Sequence, residues 1–390
     1  MTSTGTSDNI MARERAEVGS YEDIVAAAVR STGLSDFGSG AHEEGLRVIV
    51  DDLNSPEAGL TPRGRAFQRS EVKSALTGVL LTEAAFAAHP EHDGVRIERP
   101  IFLMGLPRTG TTILHRLLHA DPGAQGLEMW LTQFPQPRPP RETWESDPRF
   151  AAMQRGFAAH HAASPDFKGI HYMDATVVEE CWRLLRQTGK SNSYQSTANL
   201  PRYTEWLAGR DWTDAYARHR RVLQLVGLND RDKRWVLKNP SHMTALDALM
   251  TAYPDALIVY THRDPVTCIA SACSLAAAAS DGHSETFVGE TIGRTQLDLW
   301  ATSYQAFHEA RGRYDQAQFV DVAFGDLVRD QVGTVRKVYE AFGMDWTPEV
   351  EQAVAEADRE AKHGAAAPRH SYTLADYGLT DKQVLSAFDR

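Results

Sequence analysis

Apolar and polar positions along this chain keep two different rhythms. Residues 1–19 are mostly polar, have no apolar core and read as a disordered tail. Helical spacing then takes over: Tyr21 to about Ser31, His42 to Leu53 and Pro62 to about Ala88 each read as a helix, so residues 20–95 form an all-helical N-terminal cap. The rhythm changes at Ile101-Phe102-Leu103-Met104. This apolar run is too short for a helix and reads as a buried strand. After Gly105-Leu106-Pro107-Arg108-Thr109-Gly110-Thr111-Thr112, helical spacing resumes at Ile113, Leu114, Leu117 and Leu118 and stops at Asp121-Pro122. A proline-rich connection, Phe134 to Pro140, leads into a second helical stretch from Asp147 to about Gly227. Beyond it, strands are expected at Trp235–Lys238, Ala256–Tyr260 and Phe319–Phe324. Helices are expected from Asn239-Pro240-Ser241 to about Tyr253, after Pro265, and from Leu327 to Phe342.

Strands alternating with helices predict an α/β fold, a central parallel sheet flanked by helices. That assigns residues 96–390 to one α/β domain carrying a helical insert over about 130–230. The insert is rich in rings, among them Trp130, Trp144, Phe150, Trp182 and Tyr203. Most are expected in the core, although an insert between two α/β segments is also where a substrate pocket is built.

Ligands of parallel sheets sit at the carboxyl ends of the strands. Gly105, Lys238, Arg263 and Phe324 each fall at or just past such an end. The segment at Gly105 has the strand–loop–helix form that cradles a phosphate on backbone N–H groups, with Thr111 and Thr112 as added hydroxyl donors. It nearly matches the nucleotide-triphosphate loop GxxxxGK[ST], except that Thr111 stands in the lysine's place. The missing lysine argues against an ATPase or kinase. The cation here, Arg108, precedes the second glycine.

Composition narrows the field. The chain has 390 residues, 42% hydrophobic and 24% charged, with a formal net charge of −11. These are the values of a soluble globular protein, and a surface this acidic argues against nucleic acid as a partner. Cys181, Cys268 and Cys273 have no metal-type spacing, no metal ligand set is visible, and the setting expected is a reducing cytoplasm. No Sec-type leader and no apolar run long enough to span a bilayer is visible.

Two segments together resemble the sulfotransferases that use 3′-phosphoadenosine 5′-phosphosulfate (PAPS). PRTGTT is similar to their 5′-phosphate loop. YTHRDPVTCIASACS is similar to their 3′-phosphate element, in which an arginine is followed eight residues later by a serine, as Arg263 is by Ser271. WVLKNPSH resembles the strand-Lys segment and puts Lys238 at the family's lysine. VAFGDLVRD puts Phe324 where an aromatic residue contacts adenine, and the tail RHSYTLADYGLTDKQVLSAF is similar to the ending of bacterial members. The resemblance is good over Arg99–Pro122 and Arg234–Phe342. It departs at Arg108, where many members have lysine, at Ile113, where many have tryptophan, and at Pro240, where a histidine is common.

What the resemblance implies is a P-loop-like sulfotransferase fold and transfer of a sulfuryl group from PAPS, without a metal, to a hydroxyl. The product nucleotide would be adenosine 3′,5′-bisphosphate (PAP). The acceptor expected from the ring-rich insert is a small, partly apolar alcohol or phenol. Arg108, Thr109, Gly110, Thr111, Thr112, Arg263, Ser271 and Phe324 would bind the nucleotide, with Arg108 and Lys238 meeting charge on the reacting groups. His242, shortly after Lys238, is the first choice of general base; His171, Glu179 and Glu180 are its rivals. A P-loop nucleotide kinase and a nucleotide-binding protein without transferase activity remain the alternatives, and a homodimer stays open.

Overall fold

The computed structural model describes residues 15–163, 174–363 and 372–389. Its centre is a five-stranded sheet in the order β2-β3-β1-β4-β5, with every neighbouring pair parallel. The strands are β1 (Ile101–Gly105), β2 (Ala124–Gln125), β3 (Arg234–Lys238), β4 (Leu257–His262) and β5 (Phe319–Ala323).

Side chains alternate across this sheet with period two, and both faces are buried. Phe102, Met104, Leu237, Ile258 and Tyr260 enter one apolar cluster, which continues into the N-terminal helices and the insert. Ile101, Leu103, Val236, Val259 and Val322 enter the other, under helices Thr111–His119, Gln331–Ala341 and Pro348–His363.

The expected N-terminal helices are present as Tyr21–Thr32, Glu43–Leu53 and Pro62–Ala88. Local chemistry starts two of them: Ser20 and Asp23 form a capping box, and Thr61 accepts from Gly64 N ahead of Pro62. They are tied to the insert by polar contacts. Asp52 accepts from Tyr203 N at 3.0 Å, Gln68 donates to Thr197 O at 3.1 Å, and Glu71 and Glu83 pair with Arg186 and Arg218. The rings of the insert are largely core: Trp130, Trp144 and Phe150 pack together with centroids 5.5 to 5.8 Å apart.

Several expectations need correcting. The helical stretch from Asp147 is broken: Pro148–Ala163, Trp182–Arg186, Pro201–Ala208 and Thr213–Val226 are separate helices. The helix expected from Asn239 begins as a 3₁₀ segment, Pro240–Ala245, before Leu246–Ala252. The helix expected over Leu327–Phe342 is two, Phe324–Arg329 and Gln331–Ala341, because Asp330 leaves the helix and caps the second through Gly333 N. The edge strand β2 and the helices Gly289–Arg311 and Pro348–His363 were not anticipated. The tail packs back onto the body. Leu374 and Tyr377 are buried, and the backbone of Gly293 lies so close to Tyr377 O that no side chain fits there.

Candidate active site

Parallel register carries the carboxyl ends of β1, β3, β4 and β5 to one rim. Leu103 pairs with Lys238, Gly105 with Thr261, and His262 with Ala323. The chain leaves β1 through Gly105 at φ 150°, where an added Cβ would collide with Thr261 O. Thr109 is buried in the loop that follows. Its hydroxyl lies 2.8 Å from Leu106 O and 2.5 Å from Thr261 Oγ1, so this side chain shapes the loop instead of facing a ligand.

Arg108 sits in the left-handed region at φ 72°, an uncommon place for a non-glycine residue. Its side chain is exposed and, among the described residues, makes no hydrogen bond or ion pair. Gly110, at φ 89°, precedes helix Thr111–His119 and supplies no side-chain cap, so the first N–H groups of that helix are open to an anion. Thr111 is buried beside them and Thr112 is exposed.

Thr112 leads across to β3. Lys238 Nζ donates to Thr112 Oγ1 at 3.2 Å and is ion-paired with Glu180. The Lys238 side chain is 3% exposed and that of Glu180 is 20% exposed. The insert backbone holds the acid in place. Glu179 N donates to Leu127 O at 2.8 Å, Met129 N to Val177 O at 2.9 Å, and Cys181 N to Lys238 O at 3.0 Å. Glu179 itself is buried, and its carboxylate accepts from Glu180 N at 2.8 Å. Of the two adjacent acids, Glu180 is therefore the one that reaches the rim.

On the other side of β1, Arg263 Nη1 donates to Arg108 O at 3.2 Å, and its guanidinium lies 4.1 Å from the centroid of the Phe324 ring. Phe324 opens the helix after β5, and its ring would touch a Cβ on Gly110 at 3.2 Å. Arg108, Gly110, Arg263 and Phe324 thus meet at one place. Ser271 is buried on the second turn of helix Pro265–Ala279; among the described residues it makes no hydrogen bond with Arg263. The field of both arginines reaches Cys268 on this helix, although burial is the stronger effect and pushes that thiol up to about 12.

His242 is the main correction. It does not stand at the rim. The 3₁₀ segment Pro240–Ala245, started by Asn239 accepting from Ser241 N, turns His242 into the core, where it is fully enclosed. Its Nδ1 lies 2.6 Å from Tyr216 Oη, and its ring meets Phe102 edge-on at 5.2 Å. Burial, helped by nearby His219, holds its pKa well below the ordinary histidine value. An enclosed ring cannot touch an acceptor, so it is not the general base. His171 lies outside the described residues. The described residues contain no group of three or more metal-ligand side chains.

Sheet and rim together define an α/β protein with a glycine-bracketed loop, its helix N–H groups uncapped by a side chain, beside a lysine–carboxylate pair. The profile of the sulfotransferase family matches residues 100–348, and the chain belongs to that family. It is 27% identical over 259 residues to "Omega-hydroxy-beta-dihydromenaquinone-9 sulfotransferase Stf3" of Mycobacterium bovis, which covers 63% of each chain. The match therefore spans less than two thirds of that relative. The crystal structure of sulfotransferase STF1 from Mycobacterium tuberculosis H37Rv superposes with a TM-score of 0.89 at 49% identity, covering 96% of this chain and 99% of that one. Sulfotransferase STF9 from Mycobacterium avium superposes with a TM-score of 0.86 at 29% identity, covering 96% of both chains. No described helix is long and apolar enough to cross a membrane.

Proposed function

We propose that this protein transfers a sulfuryl group from PAPS to the hydroxyl of a small, partly apolar acceptor. The observation that carries this reading is the meeting, at one rim, of an uncapped anion loop and the Lys238–Glu180 pair. Family membership supports the reaction class. The name of the Mycobacterium bovis relative, a hydroxylated menaquinone sulfotransferase, supports an apolar hydroxyl acceptor.

The rim fits a nucleotide with two phosphate groups. The open N–H groups ahead of Thr111 and the unpaired Arg108 suit the 5′ side, while Arg263 suits the 3′-phosphate and Phe324 the adenine. In the reaction, the acceptor oxygen forms a bond to sulfur as the bond from sulfur to the phosphate oxygen breaks. Glu180 takes the hydroxyl proton, Lys238 and Arg108 meet the charge left on the departing phosphate, and a sulfate ester and PAP result. Glu180 replaces His242 in this role because it is the carboxylate in contact with Lys238. Residues 20–95 act as a helical cover on the α/β unit 96–390.

The test is incubation with sulfur-labelled PAPS and a panel of phenols and alcohols. The reading expects labelled sulfate ester and PAP in equal amounts, lost in Glu180→Gln. Magnesium-dependent ATP turnover without sulfate transfer would replace it with the kinase alternative.

A further inference from the structure

We infer that Arg138 is a positioning residue for the reacting pair: it ties the stretch of chain that holds Glu180 to the turn that leads into the strand carrying Lys238. This rests on reading Lys238 and Glu180 as the place where the acceptor hydroxyl reacts.

Arg138 belongs to the proline-rich connection and stands between Pro137 and Pro139. A residue before proline is pressed toward extended backbone, so this stretch has few conformations to choose from. Arg138 is buried, and its guanidinium meets four acceptors. Nε donates to Glu128 Oε2 at 3.1 Å, Nη1 to Gln125 Oε1 at 2.9 Å and to Asp230 Oδ2 at 2.7 Å, and Nη2 to Gly126 O. The guanidinium carbon lies 5.5 Å from the ring centroid of Trp235 on β3. Lys233 pairs with Asp230 at 3.0 Å, so two cations face two carboxylates and the group needs no further ion. Arg138 therefore acts on the reaction through the chain it holds.

Its partners fall on two stretches. Gln125, Gly126 and Glu128 belong to the first. There Glu128 bridges Val178 in antiparallel pairing, and the bonds Glu179 N to Leu127 O at 2.8 Å and Met129 N to Val177 O at 2.9 Å close the pair. A Cβ on Gly126 would collide with Val178, so the two segments lie in close contact. Glu180 is the next residue along. Asp230 belongs to the second stretch, and the backbone of Arg138 is fastened there too: its N–H donates to Val226 O at 3.0 Å and its carbonyl accepts from Asn229 Nδ2 at 2.9 Å. That turn feeds β3 at Arg234, and Lys238 ends the strand. One planar fork thus joins the segment of the acid to the segment of the lysine. A lysine ammonium, a single point charge, cannot reach all four acceptors at once.

The test compares Arg138→Met and Arg138→Lys with a control in the full chain. The control, Arg218→Met, breaks another partly buried arginine–carboxylate pair, with Glu83. Amide hydrogen exchange needs no turnover. In Arg138→Met, exchange at Met129 and Glu179 should rise about 10-fold or more, and the control should leave it unchanged. With PAPS and a phenol acceptor, kcat of Arg138→Met should fall about 10- to 100-fold as the pair loses its alignment, while PAP affinity stays the same. In a Glu180→Gln background Arg138→Met should lower kcat little further, and Arg138→Lys should fall between wild type and Arg138→Met on both readouts. Should Arg138→Met fail to fold, Arg138→Lys decides on the same readouts. Wild-type exchange at Met129 and Glu179, an equal rise in the control, or an undiminished further loss of kcat in the Glu180→Gln background overturns the inference. Loosened exchange with no sulfate transfer by the wild type would leave Arg138 as the joint of the Glu180–Lys238 pair and overturn the proposed reaction instead.

Discussion

Glu180→Gln strands a charge. The Lys238 side chain is only 3% exposed, and without Glu180 its remaining described side-chain partner is Thr112 Oγ1 at 3.2 Å. Breaking a fully buried ion pair from one side costs about 3–5 kcal/mol. Glu180 keeps a fifth of its side chain in solvent, so water replaces part of the lost interaction, and the glutamine oxygen still accepts one bond. A loss of about 1–3 kcal/mol follows from that discount. Lys238→Met in the same chain removes the stranded charge, so the double variant should recover about 1–2 kcal/mol relative to Glu180→Gln alone. Urea unfolding of the four proteins measures the cycle. Turnover supplies the second readout: Glu180→Gln should lower kcat by about 10²–10⁴ as a lost general base. Lys238→Met should lower kcat far more than it weakens donor binding, because its interaction strengthens in the transition state. Stability within about 0.5 kcal/mol of wild type together with turnover within a few-fold in Glu180→Gln would refute the assignment.

Three further outcomes are expected. Arg263→Ala should weaken binding of PAP by about 10-fold or more while leaving AMP nearly unchanged, since only the first ligand offers a 3′-phosphate; equal losses in a titration of both would remove Arg263 from that role. The buried His219, whose pKa burial lowers to about 3, and His242, held well below its ordinary value, make stability depend on pH. The unfolded chain takes up their protons as pH falls through about 6.5 and the folded chain does not, so the stability they contribute is complete above that pH and falls below it, by up to about 1.4 kcal/mol per pH unit for each ring. Urea midpoints from pH 7.5 down to 5 should show this decline, with a shallower slope in His219→Gln. Gly105→Ala should cost about 1–3 kcal/mol and abolish PAP binding, because its φ of 150° and its contact with Thr261 O admit no Cβ; a thermal unfolding curve and one titration check both.

The rim was legible in the sequence wherever its chemistry is local. Strand β1, the loop from Gly105 to Thr112 and the following helix occupy one continuous stretch, and the other rim residues mark the ends of short apolar runs. What could not be read depends on the path of the insert. Glu180 meets Lys238 from 58 residues away, a pairing set by backbone hydrogen bonds between Leu127–Met129 and Val177–Glu179. No spacing in the sequence announces that contact, although the two adjacent acids marked the place. His242 was misplaced because one 3₁₀ turn decides whether a residue after a strand end faces the rim or the core. Strand β2 is two residues long, below any periodicity. Helix Gly289–Arg311, by contrast, did carry a signal, with Ile292, Gln296, Leu299, Trp300, Ser303 and Phe307 buried along one side. The split at Asp330 follows from a familiar preference, an aspartate at a helix N-cap inside what otherwise reads as one amphipathic run.

The proposed reaction requires this rim to bind a nucleotide carrying both a 5′- and a 3′-phosphate. Calorimetric titration of the full chain with PAP, AMP and ATP–magnesium in one buffer tests it most directly. PAP should bind most tightly, about 10-fold or more beyond AMP, and magnesium should add nothing to its affinity. Equal affinity for PAP and AMP, or a preference for ATP with magnesium, would contradict it.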